Sequence, residues 1–388
     1  MPRALLHALK PRLPEMIRVL RRLVETESSS LEKISAGRCC RLLAREWRRR
    51  GARVELIPQK HRGDHLRVTW PPAPPSAGPV AKEKAGGQLL VVGHYDTVYD
   101  AGTLRKMPFH VRGGKAYGPG AFDMKAGIVQ ALFALEALQQ RRTPLRKRIV
   151  FLWTSDEEIG SGTSRELIER EARRSDAVFV LEPSSGRRGL LKTSRKAVGE
   201  AEIIVHGQAA HAGLDPQSGV NAVHELARQI SRIEKWNDPR RGITVNAGII
   251  AGGTRVNVIP ERARAVLDLR ASTLRDMRRF EKQLRALRPI LPGAKLEVRG
   301  GFNRAPLERK WSAVLFARAK KLASQMGLAL GECSAGGGSD GNFTAALGIP
   351  TLDGLGAVGG GAHSSREHIL IRKMPERAAL LAALLADS

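Results

Sequence analysis

The chain has 388 residues, too long for one small domain at roughly 100–200 residues each, so two domains are expected. Its 42% hydrophobic and 27% charged residues exclude a disordered polymer, and without a run of about 18 apolar residues no helical membrane span is predicted. The net charge is +27, from 65 basic and 38 acidic residues, but residues 194–303 carry 19 basic and 11 acidic ones, an even share of the excess. With aromatics at only 4% there is little to stack bases on, so nucleic acid is not the expected partner and a basic nucleic-acid-binding protein is the remote alternative.

The N-terminal stretch MPRALLHALKPRLPEMIRVLRRLVE has charges and prolines where a signal peptide needs an apolar core. Three cysteines, two of them adjacent (Cys39, Cys40 and Cys333), cannot form a disulfide framework. Both features point to the cytoplasm. Leu13, Ile17, Leu20 and Val24, then Leu42, Leu43 and Trp47, recur at helical spacing and predict two helices within the first 50 residues. A strand follows near Val54–Ile57, and the Pro- and Gly-rich residues 71–87 read as an exposed loop.

From there short apolar runs alternate with helices. Strands are expected at Leu89–Val92, Ile149–Trp153 and Ala177–Leu181, and helices at Met124–Leu138 and Ser161–Ala172. That alternation predicts an α/β domain, a sheet with helices on both faces. Near Ser194 the pattern changes to strands at Ala201–Val205, Thr244–Ile250 and Ala263–Leu269, with helices at Val220–Glu234 and Leu274–Leu287. We read 194–303 as an inserted α+β domain, with 1–193 and 304–388 forming the first domain. The stripe Arg275, Arg278, Arg279, Lys282 and Arg285 is the solvated face of the second helix. Beyond the insert come a helix at Val314–Met326, a Gly-rich loop through Gly338, a strand near Ile349–Leu352, the His363 loop and a closing helix at Pro375–Leu385.

Ligands of such sheets gather outside the carboxyl ends of strands. Here those ends carry His94 and Asp96, Glu157 and Glu158, and Glu182, while Asp123 and His363 sit in Gly-rich loops. Taken singly, each has a bland reading as a helix cap, a turn or a solvated residue. Together, two imidazoles and three carboxylates form a donor set for zinc-like metals, and can hold two ions if one carboxylate bridges. Asp96, two residues beyond His94, can take the other imidazole N–H. Glu157 and Glu158 diverge as neighbours, so one can bind metal while the other serves as general base.

The stretches Gly93-His94-Tyr95-Asp96-Thr97-Val98, Gly118 to Gly127, Asp156 to Ser161, Leu181-Glu182-Pro183 and Gly361-Ala362-His363-Ser364 resemble the di-zinc metallopeptidase family of glutamate carboxypeptidase, aminoacylase and succinyl-diaminopimelate desuccinylase. The resemblance runs from about Leu20 to the last helix, and is nearest the glutamate carboxypeptidase branch. It implies a mixed-sheet catalytic domain with an inserted lid that also dimerises. It implies two zinc ions, with cobalt or manganese as substitutes: Asp123 bridging, His94 and Glu182 on one ion, Glu158 and His363 on the other. Asp96 would orient His94, and Glu157 would be the general base. A cis peptide would follow Asp123.

In the lid, His211 resembles the histidine that reaches a neighbouring subunit's site to stabilise the oxyanion. Asn257 and Arg270, with Arg304 and the Gly338 backbone from the catalytic domain, resemble the site of the substrate's carboxylate. The expected protein is a cytoplasmic homodimer that hydrolyses an amide or peptide bond beside a free carboxylate in a small peptide or N-acyl amino acid. An aminoacylase or dipeptidase with another side-chain preference is the alternative.

Overall fold

The structure, a computed structural model, describes residues 1–70 and 87–388. The loop expected at 71–87 therefore lies, apart from Gly87, outside the described residues. The chain divides into two compact units: Met1–Ser194 with Arg309–Ser334 and Ser339–Ser388, and Arg195–Glu308 with Ala335–Gly338.

The first unit is built on a six-stranded mixed sheet. Its strands lie in the order Arg53–Ile57, His65–Trp70, Arg148–Thr154, Gln88–His94, Ala177–Val180 and Thr351–Leu352. The first three pair antiparallel and the last four run parallel. The central strands are apolar throughout because both faces are covered. Leu89, Val91, Ile149, Phe151 and Phe179 face one core, and Leu90, Val92, Val150, Leu152 and Val178 face the other. The first face is packed by the N-terminal helices and by Ala126–Gln140, which is apolar on almost every side and lies against Met374–Asp387. The other face is closed by Leu167, Ile168 and Ala172 of Arg165–Arg173 and by Phe343.

Some elements depart from the sequence reading. The first 50 residues hold three helices, because Pro2–Leu9 buries Leu5, Leu6 and Leu9 before a short turn at Lys10–Arg12 leads into Leu13–Glu25; Lys33–Arg48 is the third. The helix expected from Met124 begins at Ala126, since Asp123 (φ −113°, ψ 95°) and Met124 (φ −133°, ψ 32°) are not helical. The helix expected from Ser161 begins at Arg165; Ser161 itself sits at φ 59°.

A small antiparallel sheet in the same unit joins Gly359–Gly360, His368–Leu370, Lys115–Tyr117 and His110–Arg112.

The second unit is a four-stranded antiparallel sheet in the order Thr244–Gly252, Arg262–Ala271, Ala197–His206 and Lys295–Arg304. Helices Ala222–Glu234 and Leu274–Arg285 share a core with it, through Leu226 and Ile233, Phe280 and Leu284, over Ile203, Val205, Ala265 and Leu267. The strand Lys295–Arg304 was not anticipated, because Gly300 and Gly301 interrupt its alternation. It also places Arg304, paired with Val198, in this unit. Gly338 joins the same unit, where Arg195 donates to the carbonyls of Gly337 (3.2 Å) and Gly338 (2.9 Å). Both residues had been expected in the first domain. Among the described residues no helix is long and apolar enough to cross a membrane.

Candidate active site

Parallel pairing brings the polar strand ends together. His94 is in register with Thr154, so Ser155 to Glu158 emerge beside it, and Val92 is in register with Val180, so Glu182 emerges on the other side. Asp123 comes from the non-helical turn ahead of Ala126–Gln140, and the Asp123–Met124 peptide is cis. His363 comes from the loop between the Gly359–Gly360 and His368–Leu370 strands, at φ 58°.

The five side chains form one continuous series of contacts. Glu182 Oε1 lies 3.4 Å from His94 Nε2, which lies 3.2 Å from Asp123 Oδ1. The other oxygen, Asp123 Oδ2, is 3.7 Å from His363 Nε2, and that nitrogen is 3.2 Å from Glu158 Oε2. Asp123 thus turns one carboxylate oxygen to each imidazole. Glu157 also offers an oxygen within 4.8 Å of donors from His94 and Glu182. His94, Glu157 and Glu182 are buried, while His363 is exposed.

Asp96 serves this cluster in more ways than the sequence expectation. The strand ends at His94, and the Nδ1–H of His94 donates at 3.0 Å to the backbone carbonyl of Asp96; the Asp96 carboxylate is farther, at 3.4 Å. Because a carbonyl only accepts, Nδ1 keeps the proton and Nε2 faces the carboxylates. The carboxylate of Asp96 also accepts from Ser30 Oγ (2.7 Å) and from the backbone N–H groups of Glu157 (3.4 Å) and Glu158 (3.3 Å). It therefore fixes the turn that aims both glutamates. Asp156 stiffens the same turn by accepting from the N–H (2.6 Å) and Oγ1 (2.7 Å) of Thr163.

The electrostatics favour positive charge at the centre. Burial opposes the His94 imidazolium, but hydrogen bonds with Asp123, Asp96 and Glu182 raise its pKa well above the ordinary histidine value. The hydrogen bond to Glu158 lifts His363 to about 9. Burial pushes the Glu158 carboxyl up, against the pull of His363. Imidazole and carboxylate donors in this number, gathered around excess negative charge, fit divalent ions of the zinc class.

Candidate residues in the second unit have their own geometry. His211 is exposed, and its Nδ1 accepts from the N–H groups of Gly213 (3.2 Å) and Leu214 (3.1 Å). That leaves the proton on Nε2 as a donor. Asn257 is exposed beside it: its carbonyl accepts from Ala212 N (3.0 Å), and His211 bridges to Val258. Arg270 does not present an open fork, since Nε and Nη2 donate to the two oxygens of Asp268 at 2.9 and 2.7 Å. The two residues share a face of their strand at i and i+2.

Two further residues hold the backbone around the centre. Glu367 is fully buried and accepts from backbone N–H groups of the Asp123 turn. Nothing in its spacing marks it, because its partners are more than 240 residues away. The other is Gly127: a Cβ there would lie 2.5 Å from the Leu181 carbonyl, next to Glu182. Backbone on both sides would have to give. Gly127→Ala should therefore cost about 1–3 kcal/mol of stability, measurable as a lowered denaturation midpoint.

Comparison with known proteins agrees with this geometry. Residues 90–387 match the model of Peptidase family M20/M25/M40. Carboxypeptidase G2 of Pseudomonas sp. (strain RS-16) is 34% identical over 314 residues, 79% of this chain and 75% of that protein. A succinyl-diaminopimelate desuccinylase of Burkholderia multivorans is 28% identical over 74% of this chain and 79% of that one. Aminopeptidase PepT of Bacillus cereus has the same fold, with a TM-score of 0.76 at 22% identity over 97% of this chain and 98% of the other. With the imidazole–carboxylate centre at the carboxyl edge of its sheet, the chain belongs to peptidase family M20/M25/M40 and is a metallopeptidase-type hydrolase of amide bonds.

Proposed function

We propose that this hydrolase is a zinc-dependent, glutamate carboxypeptidase-like enzyme that cleaves an amide or peptide bond beside a free carboxylate. The observation that carries the reading is Asp123, whose two oxygens face His94 and His363 separately. His94 and Glu182 would hold one zinc ion, Glu158 and His363 the other, and Asp123 both. Bound there, such ions polarise the scissile carbonyl and make water acidic enough to act as a nucleophile near neutral pH.

Glu157 takes the proton from the attacking water and returns it to the leaving nitrogen. Asp96 keeps it aimed through its backbone N–H. His211 donates its Nε2–H to the oxyanion. Asn257, Arg270, Arg304 and the Gly338 backbone bind the free carboxylate, with Arg270 exchanging Asp268 for substrate. That existing pair also favours a second reading, an aminoacylase or dipeptidase with a different side-chain preference.

The enzyme works as a homodimer through its second unit. Support comes from the edge strand Thr244–Gly252, where Ile249 and Ile250 are 54% and 59% exposed. Beside it a groove of about 450 Å³, lined by Ile230, Ile233, Val245 and Ala247, runs along the Ala222–Glu234 helix. Unpaired apolar edges of this kind invite a second copy. Free thiols at Cys39, Cys40 and Cys333 suit the cytoplasm; burial drives the Cys40 pKa to about 12.

A panel of N-acyl amino acids and dipeptides, with zinc, cobalt or manganese added, tests the substrate. Acyl-glutamates should exceed acyl-alanines at least about 10-fold in kcat/KM, read as amino acid released. The opposite order supports the second reading. No turnover of any member with any metal overturns both.

A further inference from the structure

We propose that Glu367 is a positioning residue that locks the Asp123 turn to the His363 loop and so sets how tightly the centre holds metal. The inference rests on the two-ion reading above. Glu367 Oε1 accepts from the backbone N–H groups of Phe122 (2.8 Å) and Asp123 (3.0 Å). Oε2 accepts from the N–H of Gly120 (3.2 Å) and from the Tyr99 hydroxyl (2.7 Å). Four donors occupy about all the lone-pair sites a carboxylate has. Glu367 is therefore a frame for the donor set, not a member of it.

Its main chain makes the connection in the other direction. The carbonyl of Glu367 accepts from Gly118 N (3.4 Å), and its N–H donates to Ser364 O (3.1 Å). The Tyr99 hydroxyl that donates to Oε2 also lies 3.1 Å from Ser364 O. One residue thus ties the turn at Gly118, Gly120, Phe122 and Asp123 to the loop that carries His363. The adjoining small sheet sets their register, with His368 opposite Tyr117 and Ile369 opposite Ala116.

The need for a carboxylate follows from the backbone. Asp123 and Met124 depart from helical geometry, and buried N–H groups left unpaired are costly. A carboxylate accepts at both oxygens; an amide would turn an NH₂ group towards two of the donors. His363 adds a second reason. It holds a left-handed φ of 58°, uncommon for a non-glycine residue, in the loop that the Glu367 N–H ties at Ser364 O.

The test uses full-length Glu367→Gln with zinc alone as the probe, in competition with a zinc-binding dye. At least one ion should be held about 10–100-fold more weakly, the scale for losing a group that orients metal ligands. Turnover should return at high zinc, with KM for substrate within about twofold of wild type. Tyr99→Phe removes one donor and little volume, so it should fold normally and shift zinc affinity in the same direction by less; it carries the test alone if Glu367→Gln does not fold. Undiminished affinity in both variants overturns the inference, as does a loss of turnover that zinc cannot restore. A wild-type chain that takes up no zinc overturns the two-ion reading itself.

Discussion

Glu157→Gln should lose at least about 100-fold in turnover, the ordinary scale for removing a general base, while its zinc content stays at the wild-type level. The amide keeps the size of the side chain, so the buried position should pack as before. What it cannot do is take a proton and give it back. The result is informative because Glu157 lies close enough to His94 and Glu182 to be mistaken for a ligand. Its neighbour pairs with the other imidazole: the Glu158 carboxylate meets His363 at 3.2 Å. Glu158→Gln should therefore lose metal as well as activity. If metal analysis finds zinc lost from the Glu157 variant and kept in the Glu158 variant, the two roles are reversed.

His211→Ala should lower turnover by roughly 10²–10³, the scale for losing one oxyanion donor, with little change in zinc content. The argument is the tautomer. Nδ1 is already engaged by Gly213 and Leu214, so the ring has only its Nε2–H to offer. If a second subunit supplies that donor, mixing His211→Ala with Glu158→Ala should restore part of the activity. In a mixed dimer one site receives both an intact donor set and an intact histidine. Subunit exchange shown independently, with no rescue, would refute the shared site. So would a fully active monomer at concentrations where sedimentation shows no dimer.

Much of the centre was legible along the chain because strand ends in a parallel sheet announce themselves. An apolar run stops, a polar residue follows, and parallel pairing then makes neighbours of residues far apart in sequence. His94, Glu158 and Glu182 follow from that rule and from three short apolar runs. Asp123 and His363 were legible through the Gly-rich stretches around them. The helices of the second unit were legible too, since Leu226, Ile233, Phe280 and Leu284 repeat with helical period over the sheet.

Tertiary structure alone decided the rest. The Lys295–Arg304 strand carries two glycines that break its alternation, and it exists because Ala197–His206 offers a partner along its length. The duty of Asp96 widened because the strand stops at His94. A backbone carbonyl then took the imidazole N–H at 3.0 Å, while the carboxylate, 3.4 Å from the same nitrogen, also accepts from two N–H groups about sixty residues away. Arg270 reads as an open carboxylate clamp until its own strand sets Asp268 beside it. Glu367 shows the limit most directly. Periodicity and local motifs record what a residue does with its near neighbours in the chain. A buried carboxylate whose donors come from Tyr99, Gly120, Phe122 and Asp123 has no near neighbours in that sense, and only the folded backbone brings them to it.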